Sequence, residues 1–182
     1  LAGVGAERFL PWPARALASF EQRVVACQRE VERVNRGRAT RTLYAPALSG
    51  DAEVMREQLE FAQGHGVAMV LMTPMIAGVS NFNALRREFP AMAFLAHPAL
   101  AGNQISPQAL LGTLFRVFGA DAVIFPNHGG RFSYTRSTCD AIATRLRDVR
   151  AVIDGWLADL DGEGGADTDA IRQRLAWARG VV

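Results

Sequence analysis

Four stretches of the chain are apolar at almost every position, and each is followed by a segment with helical spacing of its apolar residues. The apolar stretches cover residues 41–48, 67–74, 91–98 and 121–127. Strands that are apolar throughout, rather than alternating, are typical of a parallel sheet covered by helices on both faces. The pattern therefore predicts four repeated strand-then-helix units.

Capping residues mark where the helices are expected to begin and end. Before the first strand, residues 13–36 form a long amphipathic pattern that stops at Gly37. After the fourth strand, another helix is expected near 135–148. The expected starts of the helices between them are Asp51, then Ser80 or Asn81, then Ser106 with Pro107 in the first helical position.

Two architectures accommodate this order of elements. One is an arc of a (β/α)8 barrel, and the other is an open, doubly wound sheet. No glycine-rich dinucleotide fingerprint follows any of the strands, and each strand ends in a similar polar or proline-marked loop. This repetition favours the barrel arc.

Composition excludes several classes of protein. The 182 residues carry 20 basic and 18 acidic side chains, a balance that argues against a nucleic-acid or membrane-surface protein. No stretch is apolar enough to span a membrane, no signal peptide is visible, and Cys27 and Cys139 share no metal-like spacing. A reduced, cytoplasmic protein is therefore expected. The chain begins at Leu1 without Met, so a processed product or a fragment is also expected.

Every basic residue is arginine, and the chain contains no lysine. Schiff-base chemistry, phosphate binding by a P-loop and lysine carbamylation are therefore outside the reach of this chain alone. Arginine is also concentrated towards the beginning, since residues 1–41 hold 8 Arg against 4 Glu. Alternation with glutamate in this region is typical of a solvated helix face.

The three histidines fall on different sides of the predicted strands. In both candidate architectures, ligands bind at the carboxyl ends of the strands. His65 precedes a strand and is expected at the opposite end, without a catalytic role. His97 and His128 each follow a strand directly, and Asn127 and Arg131 stand in the same loop, "VIFPNHGGRFSYTR". A plain turn with a solvated arginine is the alternative interpretation of that loop.

Two motifs carry a resemblance to a known family. "AHPALAG" after one strand and "GADAVIFPNHGGRFSY" at the next resemble the large subunit of RuBisCO, and most closely the RuBisCO-like proteins, which do not fix carbon dioxide. The resemblance covers roughly residues 8–148. It implies that the four strands are strands three to six of a (β/α)8 TIM barrel, with residues 149–182 as a divergent or truncated helical tail.

The resemblance also implies roles for individual residues. His97 matches the histidine that ends strand five beside the substrate, and His128 is the second predicted catalytic residue. The predicted substrate-binding residues belong to a flexible loop that closes over the substrate, with its glycines permitting movement. These residues are Asn127, Gly129, Gly130 and Arg131. Members of the family generally work as homodimers on a phosphorylated, sugar-derived ketone around a magnesium ion.

Departures from the family pattern limit the expected activity. Carboxylases carry a lysine in the loop after strand six and an arginine where this chain has Pro98. The carboxylates and carbamylated lysine that hold magnesium would lie upstream of Leu1. Asp51 is the only carboxylate in the strand-end segments, and it is better used as a helix cap. We therefore expect this chain alone to bind no magnesium tightly and to fix no carbon dioxide.

The leading hypothesis is a partial RuBisCO-like protein. Its intact relatives would carry out magnesium-dependent enolisation, decarboxylation or transcarboxylation, or hydrolysis of phosphorylated sugar-derived substrates. Completed by the remaining strands, the chain would thus belong to a lyase, isomerase or transcarboxylase. Two alternatives stay open: a catalytically inactive unit for folding or dimerisation, and an unrelated open α/β binding domain.

Overall fold

The computed structural model describes residues 18–101, 105–125, 134–161 and 165–181. These fall into two compact units, one up to His97 and one from Pro98 onward. Each unit is described by itself.

The first unit is built around parallel strands. Strands β1 (Met69–Met72) and β2 (Ala93–Ala96) pair in parallel, with Met72 opposite Ala96. The preceding segment joins the other side of β1, because Ala47 forms a parallel bridge with Leu71. Three of the predicted strands are thus parallel and adjacent in chain order, as expected.

Helices of the first unit begin at side-chain caps where the sequence offers them. Helix α1 (Phe20–Asn35) starts with a capping box between Ser19 and Gln22, and residues 13–17 of the predicted helix lie outside the described residues. Helix α2 (Ala52–Gly64) starts at Asp51, whose side chain accepts hydrogen bonds from two backbone N–H groups. The prediction that Asp51 is a helix cap is confirmed.

The predicted cap of the next helix is wrong. Helix α4 (Val79–Glu88) begins after Gly78, so Ser80 and Asn81 lie inside the helix. A short helix α3 (Pro74–Ala77) precedes it, and Gly78 joins the two with a φ of 89°, a conformation that favours glycine. The side chain of Asn81 is used differently, since its Nδ2 donates to the carbonyl oxygen of Ala77 at 2.8 Å.

The core of the first unit lies between the sheet and its helices. Phe82 of α4 packs edge-on against Phe94 of β2, with 5.5 Å between the ring centroids, and both side chains are fully buried. Met55 and Leu59 of α2 are buried as well. On the surface, the Glu88 carboxylate accepts a hydrogen bond from Arg56 at 2.8 Å and raises the pKa of that guanidinium. This ion pair is exposed, so the buried side chains dominate the stability.

The second unit begins with a helix that starts as predicted. Ser106 caps helix α5 (Pro107–Ala109), and Pro107 occupies its first position. The helix continues through a π-helical turn, Leu110–Leu114, into α6 (Phe115–Val117). A Cβ atom at Gly112 would meet the Cβ of Arg145 at 3.0 Å, so glycine permits close packing on the later helix α7 (Arg136–Arg147).

Short strand and helical segments complete the second unit. Strand β3 (Ala122–Val123) lies within the fourth predicted strand, and α7 matches the helix predicted near 135–148. Helices α8 (Val149–Asp159) and α9 (Ala166–Val181) occupy the predicted tail. Ile153 of α8 is fully buried, and Val117, Trp156, Leu157 and Leu175 pack against its cluster. A domain boundary at residue 148 stays a prediction.

Candidate active site

The carboxyl ends of three parallel strand segments meet at one edge of the first unit. The N–H of Leu48 donates to the carbonyl oxygen of Leu71 at 2.8 Å, and the N–H of His97 donates to that of Met72 at 2.9 Å. Ala47 pairs with Leu71, so Ser49 and Thr73, two residues further along each strand, lie at the same level. Met72 pairs with Ala96, so the next residues, Thr73 and His97, also lie at the same level. We call these three residues the carboxyl edge.

Alternation along the strands sets the face on which the carboxyl edge lies. Phe94 contacts Phe82 of α4, so the even-numbered positions of β2 face the helix. The odd-numbered positions, Leu95 and then His97, belong to the opposite face. Thr73 keeps an extended backbone, with φ −108° and ψ 98°, and continues the row of Leu71. Thr73 and His97 therefore extend the same face beyond the strands.

Burial differs between the members of the carboxyl edge. Thr73 is only 2% exposed, and its carbonyl oxygen accepts hydrogen bonds from the N–H groups of Ile76 and Ala77. His97 is half-buried, so its imidazole is held by the strand register while remaining within reach of a solute. An imidazole in such a position can accept and return a proton near neutral pH.

The first strand ends in a loop that is fixed by the following helix. Gln58 of α2 donates from its side chain to the carbonyl oxygen of Ser49 at 3.0 Å and accepts from the Ser49 N–H at 3.1 Å. Oδ1 of Asp51 accepts from the N–H groups of Glu53 and Val54 at 3.1 and 3.0 Å. The carboxylate of Asp51, which follows the first strand segment, therefore caps α2, a use that the sequence predicts.

A magnesium site does not fit the described residues. Among them, no group of three or more His, Cys, Asp or Glu side chains could hold a metal ion. The carboxyl edge offers two hydroxyls and an imidazole, whereas magnesium is usually held through carboxylate and water oxygens. We therefore assign no metal-dependent step to these residues.

The other predicted site residues have different positions. His65 ends α2 ahead of β1, stacks on Phe61 with 4.1 Å between the ring centroids, and places its Nδ1 at 2.8 Å from the Phe61 carbonyl oxygen. It is thus a local helix-end residue, at the amino end of the strands. The remaining predicted residues lie outside the described residues, and their placement beside His97 stays a prediction. These are Asn127, His128, Gly129, Gly130 and Arg131.

Sequence reasoning missed two members of this edge. Thr73 is a buried polar residue at the end of a strand, and Ser49 is positioned by a glutamine nine residues further along the chain. The signal for Thr73 was the polar residue directly after the apolar run "VAMVLM". No comparable signal marks the contact between Gln58 and Ser49, because a glutamine on a helix surface is most often solvated.

Comparisons with known proteins give relatives for most of the chain, although no protein-family model matches it. It is 51% identical over 130 residues to a 5-methylthioribulose-1-phosphate isomerase from Rhodospirillum rubrum, covering 71% of this chain and 35% of that protein. It is 45% identical over 134 residues to ribulose bisphosphate carboxylase-like protein 1 from Rhodopseudomonas palustris, covering 73% and 36%. The chain thus spans about a third of the length of the curated relatives it matches.

A solved structure agrees with these relatives. The crystal structure of a Rubisco-like protein from Rhodopseudomonas palustris matches with a TM-score of 0.69 and 47% identity, over 74% of this chain and 38% of that one. The fold is therefore a partial α/β domain of the RuBisCO type, which confirms the barrel arc over the doubly wound sheet. The homologues and structural neighbours of the chain are RuBisCO-like proteins, so the resemblance carried by its loop motifs is confirmed.

Proposed function

We propose that the chain forms the central arc of a RuBisCO-like enzyme that enolises or isomerises a small phosphorylated, sugar-derived substrate. The observation that supports this most strongly is the 51% identity to a 5-methylthioribulose-1-phosphate isomerase. More distant relatives, 31% identical, are 2,3-diketo-5-methylthiopentyl-1-phosphate enolases. Both names describe rearrangement beside a carbonyl group, and neither describes carbon dioxide fixation.

His97 is the proposed proton-transfer group of this reaction. Enolisation removes a proton from the carbon beside a ketone carbonyl, and the electron pair moves onto the carbonyl oxygen. Isomerisation then returns a proton to a neighbouring carbon. An imidazole at the carboxyl edge can carry that proton between the two positions. His128 is the proposed second catalytic residue.

The loop after the fourth strand is proposed to bind and enclose the substrate. Arg131 would supply a planar guanidinium for the phosphate group, and Asn127 would donate from its amide to substrate oxygens. Gly129 and Gly130 would let the backbone approach the substrate closely. The motif "FPNHGGRF" supports these assignments through its resemblance to the family loop.

Assembly and location are further parts of this proposal. We propose that the complete protein works as a homodimer in the cytoplasm and that its magnesium ligands come from residues other than the described ones. No helix in the described part of the chain is long and apolar enough to cross a membrane. A role as a catalytically inactive folding or dimerisation unit is the second candidate function; it would need no magnesium ligands, and the described residues contain no group of three or more that could hold a metal ion.

A chimera tests the enzyme proposal against the second candidate. The segment of the Rhodospirillum rubrum isomerase that matches this chain over 130 residues is replaced by the corresponding residues of this chain. We expect the chimera to isomerise 5-methylthioribulose 1-phosphate, because the transplanted strands carry the proposed proton-transfer group. A chimera that folds and forms the parental oligomer without turnover would instead support the folding-unit role.

Magnesium titration tests the metal assignment for the chain itself. Calorimetry of the purified chain with magnesium chloride is expected to show no binding in the micromolar range, since the carboxylate at the edge is occupied as a helix cap. Calcium chloride serves as the comparison cation of equal charge. Micromolar affinity for magnesium would contradict the assignment of the metal ligands to other residues.

A further inference from the structure

A short loop rich in arginine follows helix α1 and is closed at its base by one side chain. Nδ2 of Asn35 donates to the carbonyl oxygen of Thr42 at 2.9 Å, and Oδ1 of Asn35 accepts from the Thr42 N–H at 2.8 Å. The six residues between them, 36–41, include Arg36, Arg38 and Arg41. This pair of hydrogen bonds holds the two ends of the arginine loop together in the absence of a ligand.

The arginine loop forms one side of a cavity of about 360 Å³. Gln28 of α1 also lines the cavity, and its Nε2 donates to the carbonyl oxygen of Gly66 and to Oε1 of Glu32, both at 3.1 Å. Val31 and Tyr44 are largely buried and form apolar parts of the wall. The elements around the cavity are therefore joined to one another by contacts that do not require a bound ligand.

Two of the three loop arginines line this cavity. Arg36 and Arg41 belong to its wall, whereas Arg38 does not. Within the part of the chain that the structure describes, neither Arg36 nor Arg41 has a hydrogen bond or ion pair to an acidic group. Among the described residues that line the wall, Glu32 is the only acidic one, and its Oε1 accepts a hydrogen bond from the amide of Gln28. The cavity thus presents two positive charges against one negative charge.

Stabilisation of the helix end does not account for these two arginines. Arg33 lies in the last turn of α1, where a positive charge favourably opposes the helix dipole, and it pairs with Glu30 at 2.7 Å. Arg36 is the C-cap residue of α1 and Arg41 lies five residues further along the chain, so the positive charge within the last turn is the one that Arg33 already provides. A ligand in the cavity would provide the counter-charge that the described residues do not.

We propose that this cavity binds a small phosphate monoester. Such an ester carries close to two negative charges at neutral pH and several acceptor oxygens, which suit the forked donors of two guanidinium groups. The apolar walls at Val31 and Tyr44 suit the carbon skeleton of the ester rather than a second charged group. The structure thus favours a phosphate ester over a dicarboxylate.

The cavity lies at the end of the strands opposite to the carboxyl edge. Gly66 and Ala68 of its wall precede β1, and Thr42 precedes the first strand segment. His97 follows the other end of β2. Ligand binding here is separate from the proposed catalytic site, so a test of this inference does not depend on the proposed function.

Titration of the full chain with ribose 5-phosphate tests this inference. We expect saturable binding by calorimetry, with amide chemical shifts changing at Thr42, Gly66 and Ala68. Arg36→Ala and Arg41→Ala are each expected to weaken binding about tenfold or more, the effect of losing one charge-assisted hydrogen bond. Arg38→Ala removes the same charge from the same loop and is expected to change the affinity less than about twofold, since Arg38 does not line the cavity.

Several results would overturn the inference. Absence of saturable binding excludes a phosphate-ester site, and equal weakening by Arg38→Ala would mean that only the net charge attracts the ester. Binding of malonate as tight as that of ribose 5-phosphate would contradict the choice of phosphate esters. Equal binding of unphosphorylated ribose would show that the phosphate group does not contribute to the affinity. Circular dichroism of each variant checks that the fold is retained, as expected for side chains exposed to solvent.

Discussion

Replacing His97 with asparagine in the chimera is expected to slow isomerisation by about 10²- to 10⁴-fold, the usual contribution of a positioned proton-transfer group. Asparagine keeps a polar side chain of similar reach but cannot accept a proton near neutral pH. The N–H of residue 97 would still donate to the Met72 carbonyl oxygen, so the strand register survives the substitution. The loss should therefore appear in kcat, with little change in thermal stability.

His65→Asn is the matched control for that experiment. His65 stacks on Phe61 at the end of α2 and lies ahead of β1, away from the carboxyl edge. We expect its replacement to leave kcat within about threefold, since a solvent-exposed helix-end residue contributes little beyond local stability. Equal losses in the two variants, or full activity of His97→Asn, would show that His97 is not the proton-transfer group.

Exchange of substrate hydrogen with deuterium oxide tests whether His97 acts in the first proton transfer. If His97 carries the proton, its imidazolium can exchange with solvent before the proton is returned, so the parent chimera should incorporate deuterium during turnover. His97→Asn should then lose exchange and turnover together. Exchange that persists in the variant while product formation fails would assign the first proton transfer to another group.

The strands could be predicted from the sequence because their physical cause is local. A strand between two layers must be apolar at every position, and "VAMVLM" and "AMAFLA" satisfy this condition without reference to the rest of the chain. The burial of Val70, Leu71 and Met72 at 0% exposure is the consequence. Parallel strands then required their carboxyl ends to meet, so the level of His97 followed from the order of the elements.

Features that depend on contacts between distant parts of the chain were harder to predict from the sequence. The start of α4 was misplaced because Ser80 and Asn81 are good caps in isolation, while a positive φ at Gly78 allows an extra helical turn, α3, to precede them. The closure of the arginine loop depends on Asn35 reaching Thr42. From the sequence alone, those arginines are indistinguishable from a solvated surface, the interpretation that the charge alternation favours.

Phe94→Ala is expected to lower the free energy of unfolding by about 3–5 kcal/mol, the range for emptying a buried phenylalanine site. Its ring is fully buried, contacts Phe82 edge-on at 5.5 Å, and has the Arg86 guanidinium 5.9 Å from its centroid. The substitution loses the transfer free energy of the ring and leaves a cavity between β2 and α4. A domain is stable by only about 5–15 kcal/mol, so the effect should be large in urea denaturation.

Val25→Ala is the control variant for Phe94→Ala, because it truncates an apolar side chain at an exposed position. Val25 lies on α1 and is 46% exposed, and its truncation is expected to change the free energy of unfolding by less than about 0.5 kcal/mol. The two variants remove apolar atoms from opposite environments, so the difference between their denaturation midpoints reports burial rather than hydrophobicity. A shift for Phe94→Ala no greater than that for Val25→Ala would contradict the packing of α4 on β2, and with it the assignment of His97 to the face opposite the helix.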